Sequence, residues 1–303
     1  MKKKLVVFLL VLLTSVSFIM ASGSSESSDT TSDSSMVVGL SVSTQNNPFF
    51  VSLVEGAEAE AKAQGVKLTV VDAGDDVVKQ INDIDDLVSK KVQVIIVNPV
   101  DSDAVAPAVK AAKDAGIKVI AVDRAVNGES VSCQIASDNV MGAKLGGDYM
   151  VKLLGEGAKV AELQGVMGAS ATIDRGEGFH QAADAANFDI VASQTANFNR
   201  AEGLNVTENI LQAHPDIVGI FAHNDEMALG AAKAVADTGK DIVIVGFDAT
   251  DDGLAAVKNG TMAATVAQQP DLMGKQSVQV AVDLINGKTV PESLPVEVTL
   301  ITE

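Results

Sequence analysis

The residues best suited to chemistry in this chain stand where apolar runs stop. Residues 37–50 read VVGLSVSTQNNPFF, a buried strand leading into Ser43, Asn47, Phe49 and Phe50. Later runs give way to Asn98, to Asp123 and Arg124, to Arg175, to Phe198, to Asn224 and Asp225, to Phe247 and Asp248, and to Gln268. Carboxylates accept, arginines donate and amides do both, which is the set a hydroxyl-covered molecule needs, because each hydroxyl both donates and accepts. The C–H faces of such a ligand are apolar and suit an aromatic ring. Beyond residue 23 the chain has seven Phe, one Tyr and no Trp, and on this reading Phe49, Phe50, Phe198 and Phe247 all fall in strand-end loops. Singly, each residue has a plainer use: Asn and Asp cap helices and make turns, and Phe49 and Phe50 could be core residues of the following helix.

Positioning that set requires many strands ending on one side. Asn47-Pro48 is a helix start, with Asn as cap and Pro in the first turn, and Gly65 is the matching C-cap. Strands are read at residues 67–73, 92–97, 118–122, 131–136 and 159–163, then near 190–194, 217–222, 242–247 and 262–267. Amphipathic helices lie between them, including 139–154, 176–186, 201–213, 226–237, 252–258 and 272–285, and 296–301 is a last extended piece. Apolar runs alternating with amphipathic helices predict parallel strands covered on both faces, in two doubly wound α/β halves. In such sheets ligands bind beyond the carboxyl ends of the strands.

The first residues read differently. Lys2, Lys3 and Lys4, the apolar run 5–13 and Ala21-Ser22-Gly23 make residues 1–23 a secretory signal peptide. Residues 24–35, rich in Ser and Asp with no apolar side chain, read as a disordered leader. The mature chain is then expected to be soluble and exported. The formal net charge is −18, more negative still once three lysines leave, and so acidic a protein should repel nucleic acid and anionic lipid. Cys133, the one cysteine, lies in an apolar stretch and reads as a buried hydrophobe.

The motifs STQNNPFF at 43–50, VNPVDSDA at 97–104, VDRA at 122–125, IASDN at 135–139, DRGEGF at 174–179, HNDEMALG at 223–230, GFDAT at 246–250 and VAQQPD at 266–271 together resemble the type I periplasmic sugar-binding family, whose members are ligand receptors of sugar uptake transporters. The resemblance covers the chain from about residue 37 to its end. It implies two lobes joined by a three-segment hinge, one of residues 36–137 plus 269–297 and the other of 138–268 plus 298–303. It implies that Phe49, Phe50 and Phe198 sandwich a sugar ring with Phe247 lining the pocket, and that Asp123 and Asp248 accept from hydroxyls. Asn47, Asn98, Arg124, Arg175, Asn224 and Gln268 would complete the hydrogen bonds, with Ser43 nearby. D-ribose is the ligand it implies first, with allose, galactose or a furanose as alternatives. The implied partner is the membrane permease of an ABC transporter, acting on a periplasmic monomer, and a chemotaxis receptor is left open as a second partner. No cofactor or metal is implied. Residues 196–199 and 172–174 depart from the family pattern without removing any of these side chains.

Two other classes fit the sequence less well. Asp123 and Asp248 could in principle be a glycosidase pair, but G-x-S-x-G, Walker A and H-E-x-x-H patterns are missing and an arginine beside Asp123 favours its ionised form. His180, His214 and His223 lack metal spacing, His180 reading as a helix-surface residue. A sugar-responsive repressor would need a basic helix-turn-helix where the leader stands.

Overall fold

The computed structural model describes residues 36–303; the signal-peptide and leader readings fall on residues outside those described. The first series is β1 (Val37–Val42), α1 (Pro48–Gln64), β2 (Lys67–Asp72), α2 (Val77–Ser89), β3 (Val94–Val97), α3 (Ala106–Asp114), β4 (Lys118–Val122) and β5 (Cys133–Ser137). The second is α4 (Asn139–Leu154), β6 (Lys159–Gln164), α5 (Ser170–Ala185), β7 (Asp189–Thr195), α6 (Arg200–Ala213), β8 (Gly219–Ala222), α7 (Asp225–Ala236), β9 (Val243–Asp248), α8 (Asp251–Lys258) and β10 (Ala264–Ala267). The chain closes with α9 (Pro270–Ile285), β11 (Ser293–Val296) and β12 (Thr299–Thr302).

These strands form two six-stranded sheets, ordered β11-β5-β4-β3-β1-β2 and β12-β10-β9-β8-β6-β7. Each sheet is apolar on both faces, as its near-continuous Val and Ile runs require. In the first, one core gathers Leu40, Phe49, Phe50, Leu53, Ile96 and Met273 under α1 and α9, and the other gathers Ile84, Leu87, Ile95 and Val109 under α2 and α3. In the second, Ile210, Ile220, Met227 and Ile244 lie under α6 and α7, and Met150, Phe179, Phe221 and Phe247 under α4 and α5. The Cys133 thiol is completely buried, and that burial pushes its pKa up.

The chain passes between the sheets three times, after β5, after β10 and after β11. From the sequence a single extended piece is expected at 296–301. The structure has two short strands there: β11 runs parallel to β5 in the first sheet, and β12 runs antiparallel to β10 in the second. With only two residues between them the chain cannot reverse through a crossover helix, so β12 enters against the direction of its neighbour. Among the described residues no helix is long and apolar enough to cross a membrane.

Candidate functional site

The carboxyl ends of the two sheets face one another across a narrow cavity. Its walls are Asn47, Phe49, Phe50, Asp123 and Arg124 from the first sheet and its helices, and Ala171, Arg175, Phe198, Asn224 and Asp248 from the second. Both sides therefore bring an acid, an arginine, an asparagine and aromatic surface.

Local structure explains how each arrives. Asn47 caps α1, its side-chain oxygen accepting from the Phe49 N–H at 2.9 Å, so Phe49 and Phe50 stand in the first helical turn. Their rings meet edge to face with centroids 5.1 Å apart. Asn224 caps α7 in the same way, accepting from the Met227 N–H at 3.0 Å. Asp123, Phe198 and Asp248 have positive φ angles of 64°, 58° and 116°. Side chains other than glycine adopt such backbone reluctantly, and its concentration at one cavity marks positions set by the surroundings. Gly165 leaves the room Phe198 needs, since a Cβ there would stand 2.0 Å from its ring.

The electrostatics are those of two buried cations among buried acids. Arg124 lies between aromatic faces, 5.2 Å from the Phe50 centroid and 5.3 Å from that of Phe198, and its Nη1 donates to the Pro99 carbonyl at 2.9 Å. Its Nε is 3.8 Å from Asp123. Arg175 stacks 3.9 Å above the Phe247 centroid, donates from Nε to Asn139 at 2.9 Å and from Nη1 to the His223 carbonyl at 2.6 Å, and stands 3.6 Å from Asp248. Burial raises the Asp123 carboxyl, opposed by Arg124 and Arg175, and raises Asp248 well above the ordinary range, opposed chiefly by Arg175. Burial also lowers both arginines. The site thus holds charges at a desolvation cost that ligand hydroxyls can offset by hydrogen bonding.

Of the thirteen side chains expected from sequence, the nine with Asn47, Phe49, Phe50, Asp123, Arg124, Arg175, Phe198, Asn224 and Asp248 line this cavity. The other four stand behind it. The Ser43 N–H donates to Asn98 at 3.1 Å, Asn98 Nδ2 donates to Asp123 at 3.0 Å, and Gln268 Nε2 donates to Asp248 at 2.7 Å. Phe247 is inside β9, not in a loop, with its ring fully buried beneath Arg175. Phe198 alone of the four Phe sits in a loop. Arg175 is likewise not at a strand end: α5 begins at Ser170 rather than 176, placing Arg175 in its second turn. Ala171 enters the wall from the first turn of the same helix, and nothing in an alanine could have announced it.

A second group was missed. Glu162, in the middle of β6, is completely buried, and its carboxylate accepts from His223 at 2.9 Å, pairs with His180 at 3.1 Å, and also takes the Ser193 hydroxyl. Burial alone would raise its pKa, but the hydrogen bond and charge of His223, then Ser193 and His180, outweigh it and hold the carboxyl at about 2. Burial pushes His223 below its ordinary value. A depressed carboxyl stabilises the fold above its unfolded pKa, near 4.5, and that contribution is lost as pH falls toward 2. A depressed histidine acts the same way below its unfolded value of 6.5. Denaturant unfolding at pH 7 and pH 3 is therefore expected to show Glu162→Gln losing about 2 kcal/mol less stability than the wild type between the two. Equal losses in the two proteins would contradict the assignment. Among the described residues no group of three or more His, Cys, Asp and Glu side chains is placed to hold a metal ion.

Two doubly wound sheets with a polar and aromatic cavity between their strand ends define a bilobal binding protein, and the chain belongs to the periplasmic binding protein domain family, whose pattern matches residues 38–289. It is 50% identical over 268 residues to the ribose import binding protein RbsB of Escherichia coli (strain K12), covering 88% of this chain and 90% of that protein. It is 48% identical over 266 residues to RbsB of Bacillus subtilis (strain 168), covering 88% and 87%. Among solved structures, the Caulobacter myo-inositol binding protein bound to myo-inositol superimposes with a TM-score of 0.85 at 36% identity, covering 88% of this chain and 93% of that one. The fold is that of the type I periplasmic binding proteins.

Proposed function

We propose that this chain is the periplasmic receptor of an ABC-type sugar importer, that it takes up D-ribose between its two halves, and that it performs no catalysis. The observation that carries this is the composition of the cavity: acid, arginine, amide and aromatic surface supplied by both sheets to one enclosed cleft. Ribose is preferred over other sugars because the relatives named for ribose import are the more similar ones. A ring in the cavity would lay its C–H faces on Phe49, Phe50 and Phe198. Its hydroxyls would donate to Asp123 and Asp248 and accept from Arg124, Arg175, Asn47 and Asn224. Asn98 and Gln268 would act from behind, each fixing one carboxylate.

Hinge closure around a ligand is general among periplasmic binding proteins. The moving bodies here would be residues 36–137 plus 269–297 and residues 138–268 plus 298–303. A ligand favours the closed form only through contacts better made there, and a site walled from both sides meets that condition. The closed form is then what the membrane permease would recognise. As for catalysis, each cavity carboxylate faces an arginine and is already engaged by an amide, which suits a hydrogen-bond acceptor better than an acid or nucleophile.

The test is calorimetric titration of the mature protein, stripped of ligand by unfolding and refolding, with D-ribose and then allose, galactose, glucose, arabinose and myo-inositol. One-to-one ribose binding with a Kd of about 1 μM or tighter, about −8 kcal/mol, is the expected result. Tighter binding of another sugar would replace the ligand, and no heat with any of them from folded protein would overturn the reading.

A further inference from the structure

The Glu162 cluster is not in the cavity, yet it touches what is. Glu162 is a charged residue in the interior of a sheet whose neighbours on β6 are Ala161 and Leu163. Burying a carboxylate costs several kcal/mol, and replacing a buried ionic group by a well-packed apolar one is often neutral or stabilising. Its partners hold it ionised, but stability alone does not call for a charge here rather than an apolar side chain.

Its partners lead to the cavity by one bond. The carboxylate grips the His223 ring, which is completely buried, and the main-chain carbonyl of the same residue accepts from Arg175 Nη1 at 2.6 Å. The next residue, Asn224, is a cavity wall and the cap of α7. From the other side, the helix that carries Arg175 rests on the pair: a Cβ on Gly176 would be 3.6 Å from both Glu162 Oε1 and His223 Cε1. Ser193 on β7 and His180, two turns of α5 beyond Ile173, hold the second carboxylate oxygen, and Gln164 donates to it at 3.2 Å. We propose that Glu162 is a positioning residue for sugar binding, fixing His223 so that its carbonyl and the following Asn224 hold Arg175 and the wall of the cavity in place. The proposal rests on the sugar-receptor reading for its effect on affinity, but not for its effect on Arg175.

Glu162→Gln keeps the side-chain shape and removes the charge, so that one of the donors now meets an amide N–H. In ligand-free protein, solvent exchange of the Arg175 Nε–H is followed by ¹H–¹⁵N NMR, with the signal assigned by its loss in Arg175→Lys; D-ribose affinity is titrated in parallel. Exchange about tenfold faster and ribose binding about tenfold weaker are expected, the scale of one buried donor left unsatisfied. Ser193→Ala removes a donor from an exposed strand position, where folding is not at issue, and should move both readouts the same way by about threefold. A cluster that only stabilises β6 would lower the melting temperature and leave both unchanged. Unaltered Arg175 exchange overturns the proposal, and so does affinity within about twofold of a wild type that binds ribose. If the wild type binds none of the sugars but Arg175 exchange quickens in E162Q, the receptor reading falls and Glu162 remains the residue that holds Arg175.

Discussion

Replacing Arg175 by alanine is expected to weaken D-ribose binding by at least about a hundredfold, the equivalent of about 3 kcal/mol for removing one member of a buried hydrogen-bonded charge group. Arg175 is 4% exposed and its guanidinium serves four neighbours at once: Asn139, the His223 carbonyl, the Phe247 ring and Asp248. Alanine leaves the carbonyl and the amide unpaired and removes the cation that opposes the effect of burial on Asp248. That carboxyl, already pushed up by burial, should then be pushed further toward its protonated form and accept less from the sugar. The residual affinity of Arg175→Ala should consequently improve as pH rises, since higher pH restores the ionised acceptor. Arg175→Lys should recover only part of the loss, because one ammonium cannot replace two directed bonds and a flat stacking face. Titration at pH 6 and pH 9 checks this. Affinity within about tenfold of wild type in Arg175→Ala would mean that the guanidinium is packing rather than ligand contact.

Much of this site could be read from the chain because the fold makes it periodic. A doubly wound sheet turns each strand end into a place on one surface, so apolar runs followed by Asn, Asp or Arg mark the cavity before any side chain is placed. Asn47-Pro48 and Asn224 are visible for the further reason that a helix cap has its own residue preferences. What escaped depends on direction or on distance. Arg175 follows small residues, Ser170 to Thr172, that could be loop or helix; their helical state becomes decisive only when α5 packs beside α4. Phe247 counts among the loop residues only because it is the last residue of the strand read at 242–247; the structure carries that strand on to Asp248 and leaves Phe247 inside it. Glu162 carries no local sign at all. Its partners His180, Ser193 and His223 are 18, 31 and 61 residues away, and they meet only after three strands and a helix have assembled.

The same dependence on assembly makes Gly274→Ala the substitution expected to damage the fold most. Gly274 lies in α9, the first element after the second crossing between the sheets, where it packs directly against α1. A Cβ there would be 2.0 Å from the Leu53 carbonyl oxygen and 2.8 Å from the Ala57 nitrogen, both rigid main-chain atoms of α1. Neither can rotate away, so the helices must separate, and Leu53, Ala57 and Met273 lose contact in a core that has no spare volume. Overpacking of this kind costs about 3 kcal/mol, which for a chain of this size lowers the melting temperature by roughly 6 to 12 °C. The damage should also reach the ligand, because α1 carries Asn47, Phe49 and Phe50 at its start. Ribose affinity should therefore fall in the fraction that remains folded, measured by titration well below the melting temperature. An unchanged melting temperature would show that α1 and α9 can slide apart without loss, and the close approach at Gly274 would then not be what fixes the aromatic wall.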